Sequence, residues 1–386
     1  MANIERPTAL RTYAFSPAEY DERLMKVRAG MEQADLPVLV LHLPDTVCYL
    51  SGLDLGHSGY FAYHALIVPL EGEPVLVFRE MERPPVEATA WTPRISYADT
   101  DEQPIATTKR VLEDLGLAGG RIGVDQHAWN LTVDRFQTFQ GLLPDATLVK
   151  EPLIAERVRL IKSAQEVEYI RRGARAAEAG MRAGIEAVAA GVPELHLAAA
   201  IASGQARGGS EDHLAGVVGS GEKAAWLHST WTDRRLEAGD PVKFELSGVA
   251  KHYWGRLMRT TVVGEPTDEH KRIADVLRKA QDDGISRMAP GVTAADIDDA
   301  CRLPVMKAGI LENYQNRVGY GLGVLFRPMA GDFTREFMPG AAWTLEAGMV
   351  FHMLTQAHGI AFSETVLVTE DGHEVITDFE RELFVR

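Results

Sequence analysis

Cysteine is scarce in this sequence, because the chain of 386 residues has only Cys48 and Cys301, which lie far apart. A disulfide framework is therefore not expected, and the reducing cytoplasm is the predicted location. Long apolar runs are also missing. No stretch approaches the roughly 20 residues of a membrane span, and the N-terminus lacks the apolar core of a signal peptide. A membrane partner is not expected.

Clusters of basic residues are absent as well. Lys and Arg number 40 against 55 Asp and Glu, which gives a formal net charge of −15. Nucleic acids and anionic membrane surfaces attract basic clusters, so neither is predicted as a partner. Internal repeats are not evident. The 46% hydrophobic content is enough, in a chain of this length, to fill two cores. Two domains are the natural expectation.

Residues 1–155 alternate short apolar runs with amphipathic stretches. Strands are predicted at residues 36–41, 65–69, 74–78 and 121–124, and helices at 17–34, 102–114 and 133–142. Strands that alternate with helices in this way indicate an α/β domain.

A second domain, residues 156–386, is predicted to follow a break near residues 150–152. Ser163 and Glu166 have the spacing of a capping box, and apolar residues follow at helical intervals, so a long helix should open this domain. Residues 241–266 then alternate apolar and polar residues with glycines at the bends. That pattern predicts a β-hairpin.

Motifs in this second domain carry a family resemblance. They are PVKFELSGVAKHYWGRLMRT, RVGYGLGVLF, LEAGMVFHM and SETVLVTEDG. Together they resemble the catalytic domain of the creatinase/prolidase superfamily, peptidase family M24. The resemblance covers nearly the whole chain. It implies an α/β (α+β) protein in which a creatinase-like N-terminal domain precedes a pita-bread catalytic domain.

In the metallopeptidases of this superfamily the resemblance implies five metal ligands, namely two Asp, one His and two Glu. The matching positions here are Glu245, Arg256, Tyr320, Leu354 and Glu364. Neither a guanidinium nor an isobutyl group can ligate a divalent ion, so two carboxylates remain. The positive charge of Arg256 would also repel a dication. We therefore predict no metal and no other cofactor.

The motifs are closest to the metal-free branch that includes creatinase and ectoine hydrolase. This resemblance implies metal-independent hydrolysis of a C–N bond in a small zwitterionic amidine, guanidino or amide compound. The two substrate-holding glutamates of creatinase fall on Met258 and Leu354, so creatine is not the expected substrate. Two alternatives stay open: a remnant Xaa-Pro metallopeptidase that holds a single ion, and a binding protein without catalysis.

Three residues are predicted to be catalytic. His228 precedes Glu245 by 17 positions, an offset that resembles the proton-transfer histidine of the creatinase branch. Imidazole ionises near neutral pH and can move a proton from water to a leaving nitrogen. Glu245 or Glu364 would hold a cationic nitrogen group. The structural alternatives are a packed histidine and internal ion pairs of the glutamates with Arg256 or Arg259.

Other polar residues are predicted to bind substrate. Arg256 and Arg259 would oppose a substrate carboxylate, and the hydroxyl of Tyr320 would donate to an oxyanion. His352 is a candidate for a second proton carrier, with packing as the alternative. Weaker candidates are His252, Arg317, Arg327 and Arg335.

The N-terminal domain contains a glycine-rich loop with aromatic residues at positions 52–63. In creatinase-like dimers the matching loop reaches the pocket of the partner subunit. The resemblance therefore implies a homodimer with a shared site, in which Tyr60, Phe61 and Tyr63 cap the small-molecule substrate.

Overall fold

The computed structural model describes residues 13–56, 62–92, 94–98, 104–212 and 216–386. It separates into two compact units, and the division follows Arg159, whereas the predicted boundary followed residue 155. The short segment Phe326–Pro328 belongs to the first unit. Within the described ranges, no helix has the length and apolar character needed to cross a membrane.

The first unit is built around a six-stranded mixed sheet. Its helices are α1 (Pro17–Gln33), α2 (Pro44–Ser51), α3 (Arg83–Thr89), α4 (Pro104–Asp114), α5 (Val133–Leu142) and α6 (Ile154–Leu160). Its strands are β1 (Val38–Leu41), β2 (Ala65–Pro69), β3 (Val75–Arg79), β4 (Arg94–Ala98), β5 (Gly120–Val124) and β6 (Ala146–Lys150). The strand order is β4-β3-β2-β1-β5-β6, with β2 antiparallel to both of its neighbours and the other pairs parallel.

Hydrophobic burial explains the centre of this sheet. Strands β1 and β2 are apolar runs buried along their whole length, as strands covered on both faces should be. At the start of α1, the hydroxyl of Ser16 accepts a hydrogen bond from the Glu19 N–H and caps the helix. The predicted α/β character of this part of the chain is confirmed.

Tyr63 belongs to the core of the first unit. Its side chain is buried, and its hydroxyl lies 2.9 Å from Thr108 Oγ1 and 3.3 Å from His42 Nε2. This buried, hydrogen-bonded position does not match the predicted capping role of Tyr63. Tyr60 and Phe61 lie outside the described residues.

The second unit is a nine-stranded sheet flanked by long helices. The helices are α7 (Ala164–Glu186), α8 (Glu194–Arg207), α9 (Asp268–Ile285) and α10 (Ala294–Lys307). The strands are β7 (Val217–Ser220), β8 (Pro241–Ala250), β9 (Tyr253–Val262), β10 (Gly319–Gly321), β11 (Asp332–Phe337), β12 (Val350–Ala357), β13 (Ile360–Val368), β14 (His373–Val375) and β15 (Phe384–Val385). The main order is β11-β10-β12-β13-β9-β8-β7, while β14 pairs with β13 and β15 with β9.

Glycines bring α7 against the hairpin of β8 and β9. Ser163 and Glu166 form the predicted capping box at the start of α7, so that prediction is confirmed. Further along, Gly248 and Gly255 are paired across the hairpin and face Gly173 of the helix. A Cβ atom on either hairpin glycine would collide with the backbone of α7. The close approach fixes the hairpin that carries the candidate site.

The second unit uses one backbone arrangement twice. Before β8, the N–H of Gly191 donates to the carbonyl of Leu236 at 2.7 Å, and before β12 the N–H of Gly291 donates to Leu345 at 2.8 Å. Each glycine follows one helix of a packed pair and precedes the next. The structure therefore contains an internal repeat that the sequence does not reveal.

Candidate active site

The candidate site is a cavity of about 450 Å³ in the second unit. Its polar lining is His228, Glu245, Arg256, Asn316, Arg317, Tyr320, Glu336 and Gln356, and its apolar lining is Val217, Leu227, Met258, Ala330, Phe333 and Leu354. The volume lies within the range of roughly 300–1,000 Å³ that is usual for small-molecule sites. Five of the predicted site residues therefore meet here: His228, Glu245, Arg256, Tyr320 and the weaker candidate Arg317.

An ion pair between Glu245 and Arg256 forms one wall of the cavity. Nη2 of Arg256 donates to the Glu245 carboxylate, and Nη1 donates to the carbonyl of Ala330. The guanidinium carbon also lies 5.7 Å from the ring centre of Tyr320, which is within cation–π range. Both charged groups line the cavity.

The register of the sheet shows which residues share this wall. Glu245 lies opposite Met258 in β9, Met258 lies opposite Ser363 in β13, and Ser363 lies opposite Leu354 in β12. Residues directly opposite one another in a sheet point to the same face. Glu364 is one residue further along β13, so it points to the other face.

The assignment of Glu364 to a metal-ligand position is therefore corrected. Five ligands must converge on one place, and the residue of β13 that faces the other positions is Ser363. Of the carboxylates predicted at these positions, only Glu245 faces the cavity. The positions that match the family's metal ligands therefore contain one carboxylate, that of Glu245, instead of the two that the sequence indicated.

Glu364 and Arg259 form a separate ion pair inside the protein. Nη2 of Arg259 lies 2.8 Å from Glu364 Oε1, and the hydroxyl of Thr377 donates to Oε2. The other N–H groups of Arg259 donate to the carbonyls of Met258, Ser363, Phe379 and Glu380. Burial raises the pKa of Glu364, although Arg259 opposes that rise. Their positions do not match the predicted roles in catalysis and substrate binding, because neither side chain lines the cavity.

Tyr320 and His352 form a hydrogen-bonded chain beneath the cavity wall. The Tyr320 hydroxyl lies 2.9 Å from His352 Nδ1, and His352 Nε2 lies 2.5 Å from Ser363 Oγ. Burial, with the nearby charge of Arg256, holds the pKa of His352 well below its usual value, and burial raises the pKa of Tyr320. A neutral imidazole that is covered by Tyr320 positions the phenol. Because His352 does not line the cavity, its position matches the packing alternative and not the predicted second proton carrier.

His228 lies in an exposed turn at the mouth of the cavity. The turn follows the short 3-10 helix Gly221–Ala225, and the side chain of Lys243 holds it from below, with Nζ 2.5 Å from the carbonyl of Trp226. The predicted proton carrier thus reaches the same space as Glu245.

Glu194 forms hydrogen bonds to residues on both sides of the turn that carries His228. No sequence motif pointed to this residue. Its buried carboxylate accepts hydrogen bonds from the N–H and hydroxyl of Ser220 at 3.0 and 2.6 Å and from Lys223 Nζ at 2.6 Å. It also accepts from the N–H and hydroxyl of Thr232 at 2.8 and 2.9 Å. Burial alone would raise the pKa of Glu194. The hydrogen bonds from Lys223, Ser220 and Thr232 stabilise the carboxylate more than burial destabilises it, so the pKa of Glu194 is lowered.

A second ion pair, Arg317 with Glu336, also lines the cavity. Arg317 was a weak candidate in the sequence, and Glu336 was missed because it lies in a short strand without a motif. The other weak candidates are placed elsewhere. Arg335 lies near the ring of Trp343, Arg327 belongs to the first unit, and His252 is buried in the turn between β8 and β9.

Residues 168–370 match metallopeptidase family M24, and residues 23–161 match the creatinase/prolidase N-terminal domain. The chain therefore belongs to family M24. The predicted superfamily is confirmed, and so is the fold, a creatinase-type N-terminal domain followed by a pita-bread domain.

Named relatives point to two kinds of hydrolase. An ectoine hydrolase from Halomonas elongata is 30% identical over 96% of this chain and 98% of its own length. An Xaa-Pro dipeptidase from Pyrococcus furiosus is 26% identical, with 94% and 99% covered. The crystal structure of dipeptidase PepE from Mycobacterium ulcerans has a TM-score of 0.81 at 26% identity, with 96% and 99% covered. Hydrolase activity is the function that these relatives share.

The residues at the family's metal positions do not fit a divalent ion. Arg256 puts a guanidinium against Glu245, Leu354 offers no donor atom, and Ser363 bonds to His352. Tyr320 offers only a phenol, whose pKa burial has raised. Hard and borderline dications need several carboxylate or imidazole donors. The residues at these positions therefore depart from the five-ligand set that the family resemblance implies.

Proposed function

We propose that this M24 hydrolase cleaves a C–N bond in a small amidine, guanidino or amide compound that also carries a carboxylate, without a catalytic metal ion. The observation that carries the proposal is the lining of one cavity by His228 and by two carboxylate–guanidinium pairs, Glu245 with Arg256 and Arg317 with Glu336. A zwitterion presents both signs of charge and can exchange partners with such pairs.

The ectoine hydrolase relative supports this substrate class, because ectoine is a cyclic amidine that bears a carboxylate. The apolar residues Met258, Leu354 and Phe333 would contact the hydrocarbon part of such a ligand. A carboxylate would bind Arg256 or Arg317, and the cationic nitrogens would bind Glu245 through charge-assisted hydrogen bonds.

The proposed reaction uses water as the nucleophile. His228 accepts a proton from water as its oxygen attacks the amidine or amide carbon, and a tetrahedral intermediate forms. The Tyr320 hydroxyl and the guanidinium of Arg256 stabilise charge that develops there. The C–N bond then breaks, and His228 returns the proton to the leaving nitrogen. The products are an amide or acid and a free amine, so atoms and protons balance.

A turnover screen tests the proposal. Purified protein is incubated with ectoine, guanidino acids, N-acyl amino acids and Xaa-Pro dipeptides, with and without chelator, and products are followed by mass spectrometry. We expect hydrolysis of a zwitterionic amidine, guanidino or amide compound that chelator does not affect. Hydrolysis of Xaa-Pro dipeptides alone, lost on chelation and restored by metal, would overturn the proposal.

The proposal extends to a homodimer whose loop, with Tyr60 and Phe61, completes the partner's cavity. A mixture of Phe61→Ala and His228→Ala proteins should then regain part of the lost activity, because one mixed site keeps both residues. Failure to complement, with subunit exchange demonstrated by mass spectrometry of labelled chains, would show that each chain builds its own site.

The second candidate function is ligand binding without turnover. It is favoured by the internal partners that Glu245 and Glu364 already have. A zwitterion that binds in calorimetry, remains uncleaved, and binds equally well to His228→Ala protein would decide for this candidate.

A further inference from the structure

Three metal-ligating side chains meet in the first unit, outside the candidate active site. His127 follows β5, Glu151 follows β6, and Glu156 lies in α6. One potential ligand atom from each residue lies within 4.8 Å of the others. The cluster therefore joins the chain after β5 to the stretch that runs from the end of β6 into α6.

The imidazole lies between the two carboxylates. His127 Nδ1 is 3.7 Å from Glu151 Oε1, and Nε2 is 3.3 Å from Glu156 Oε1. Both glutamates are buried, whereas about a quarter (27%) of the His127 side chain is exposed. An ion could therefore enter from the histidine side and meet two carboxylates that are shielded from water.

One oxygen of Glu151 provides a second, independent observation. Oε2 accepts a hydrogen bond from the Ile154 N–H at 2.7 Å, but Oε1 is buried and has no hydrogen-bond partner among the described residues. Glu151 is only 1% exposed. Its neighbour His127 Nδ1, at 3.7 Å, is too far away for a hydrogen bond. A buried carboxylate oxygen without a hydrogen bond is rare in folded proteins, and it calls for an ion or another ligand.

Asp125 and Arg159 are charged residues near the cluster. Asp125 accepts hydrogen bonds from the N–H groups of His42 and Leu43, and its Oδ1 lies 2.8 Å from His42 Nδ1. Arg159 Nη1 lies 3.9 Å from Glu156 but donates to the hydroxyl of Thr46 at 2.9 Å, which in turn donates to Glu156 at 2.9 Å. One guanidinium therefore faces two carboxylates of the cluster and a third nearby.

We propose that His127, Glu151 and Glu156 bind one divalent transition-metal ion of the Zn²⁺ type. One imidazole and two carboxylates are donors that such ions accept, and water would complete the coordination from the exposed side. His127 Nδ1 and Glu151 Oε1 are 3.7 Å apart, and the three ligand atoms lie within 4.8 Å of one another. These separations would close to the roughly 3.4 Å between neighbouring ligands in a tetrahedral site with bonds of about 2.1 Å when an ion binds. The ion would tie the ends of β5 and β6 to α6. It takes no part in the proposed hydrolysis.

Metal titration of the full chain tests this site. Protein is stripped with chelator, desalted and titrated with Zn²⁺ in a calorimeter, and with Co²⁺ while the visible absorption of the ion is followed. We expect one equivalent to bind with a Kd below about 10 μM, and a thermal midpoint that rises when Zn²⁺ is added. Glu151→Gln and His127→Gln should each weaken binding by at least about tenfold.

Two control variants separate this site from others. His196→Gln removes an exposed histidine of α8 and should leave Zn²⁺ affinity unchanged, and Glu245→Gln tests the candidate active site in the same way. Absence of an ion bound more tightly than about 100 μM, or wild-type affinity in His127→Gln, would overturn the proposal. If Glu151→Gln does not fold, His127→Gln decides alone, because it keeps both buried carboxylates. Loss of binding in Glu245→Gln only would place the ion in the cavity instead.

Discussion

Two glutamate–arginine pairs in the second unit look alike in sequence and differ in setting. Glu245 and Arg256 line the cavity, whereas Glu364 and Arg259 are sealed within the protein. The two arginines are three residues apart on β9, and an odd separation on a strand places side chains on opposite faces. The same chemical pair therefore lines a cavity on one face of the sheet and is enclosed on the other.

Removal of Arg259 should have the largest effect on stability. Arg259→Met leaves the Glu364 carboxylate buried without its cation, and loss of one partner of a buried pair costs about 3–5 kcal/mol of unfolding free energy. Arg256→Met is the matched variant on the other face. It should cost less than half as much, because Glu245 stays at the cavity surface. Urea denaturation of both variants measures the difference, and equal losses would remove the distinction between the two pairs.

Replacement of His228 should have the next largest effect, on turnover. His228→Ala should lower kcat by at least about a hundredfold, which corresponds to about 2.7 kcal/mol, because the proton carrier is lost while the exposed turn tolerates alanine. His196→Ala, at an exposed site on α8, is the control and should keep wild-type kcat. Unchanged turnover by the His228 variant, on a substrate found in the screen, would show that His228 has no catalytic role.

The two glutamates should then respond differently to loss of charge. Glu245→Gln should weaken binding of a zwitterionic ligand by about tenfold or more, or about 1.4 kcal/mol, because a charge-assisted hydrogen bond is lost in the cavity. Glu364→Gln should leave affinity unchanged and lower thermal stability. Calorimetric titration checks both variants. Weaker ligand binding by a fully folded Glu364→Gln protein would show that Glu364 contributes to the binding site.

Local patterns in the sequence predict several helices and strands correctly. The α5 helix and β2 have the predicted bounds, and the hairpin of β8 and β9 was visible from alternation and glycines. These features depend on neighbouring residues. Ser163 and Glu166 show the same, since the capping box is complete within four residues.

Non-local geometry explains what the sequence did not reveal. Ser363 and Glu364 differ by one position on β13, and only the register with β9 and β12 tells which one faces the cavity. Glu194 and Glu336 carry no motif, and their importance comes from partners that the fold brings to them. The cluster of His127, Glu151 and Glu156 in the first unit likewise depends on where β5 and β6 end and where α6 begins.

Glu194 offers a third buried carboxylate for comparison. Its pKa is lowered below 4.5 in the folded protein, so its stabilising contribution is present above pH 4.5 and is lost as pH falls through the folded pKa. Glu194→Gln should cost about 1 kcal/mol near neutral pH, and this difference from the wild type should shrink below pH 4.5. Denaturation curves between pH 7 and pH 4 measure the trend. A difference that grows on acidification would contradict the assigned ionisation.

Chelation should have the smallest effect under the proposed function, because Arg256, Tyr320, Leu354 and Ser363 stand at four of the five metal positions of the family. Prolonged treatment with chelator should leave kcat/KM within about twofold of the untreated enzyme, even if an ion is removed from His127, Glu151 and Glu156 and the thermal midpoint falls. His127→Gln is the control, since it should show the same activity and no further loss of stability on chelation. If activity disappears with the ion and returns with added Zn²⁺ or Mn²⁺ in the His127 variant, the ion must act at the cavity. Glu245 would then ligate it, and the pair with Arg256 would have to open.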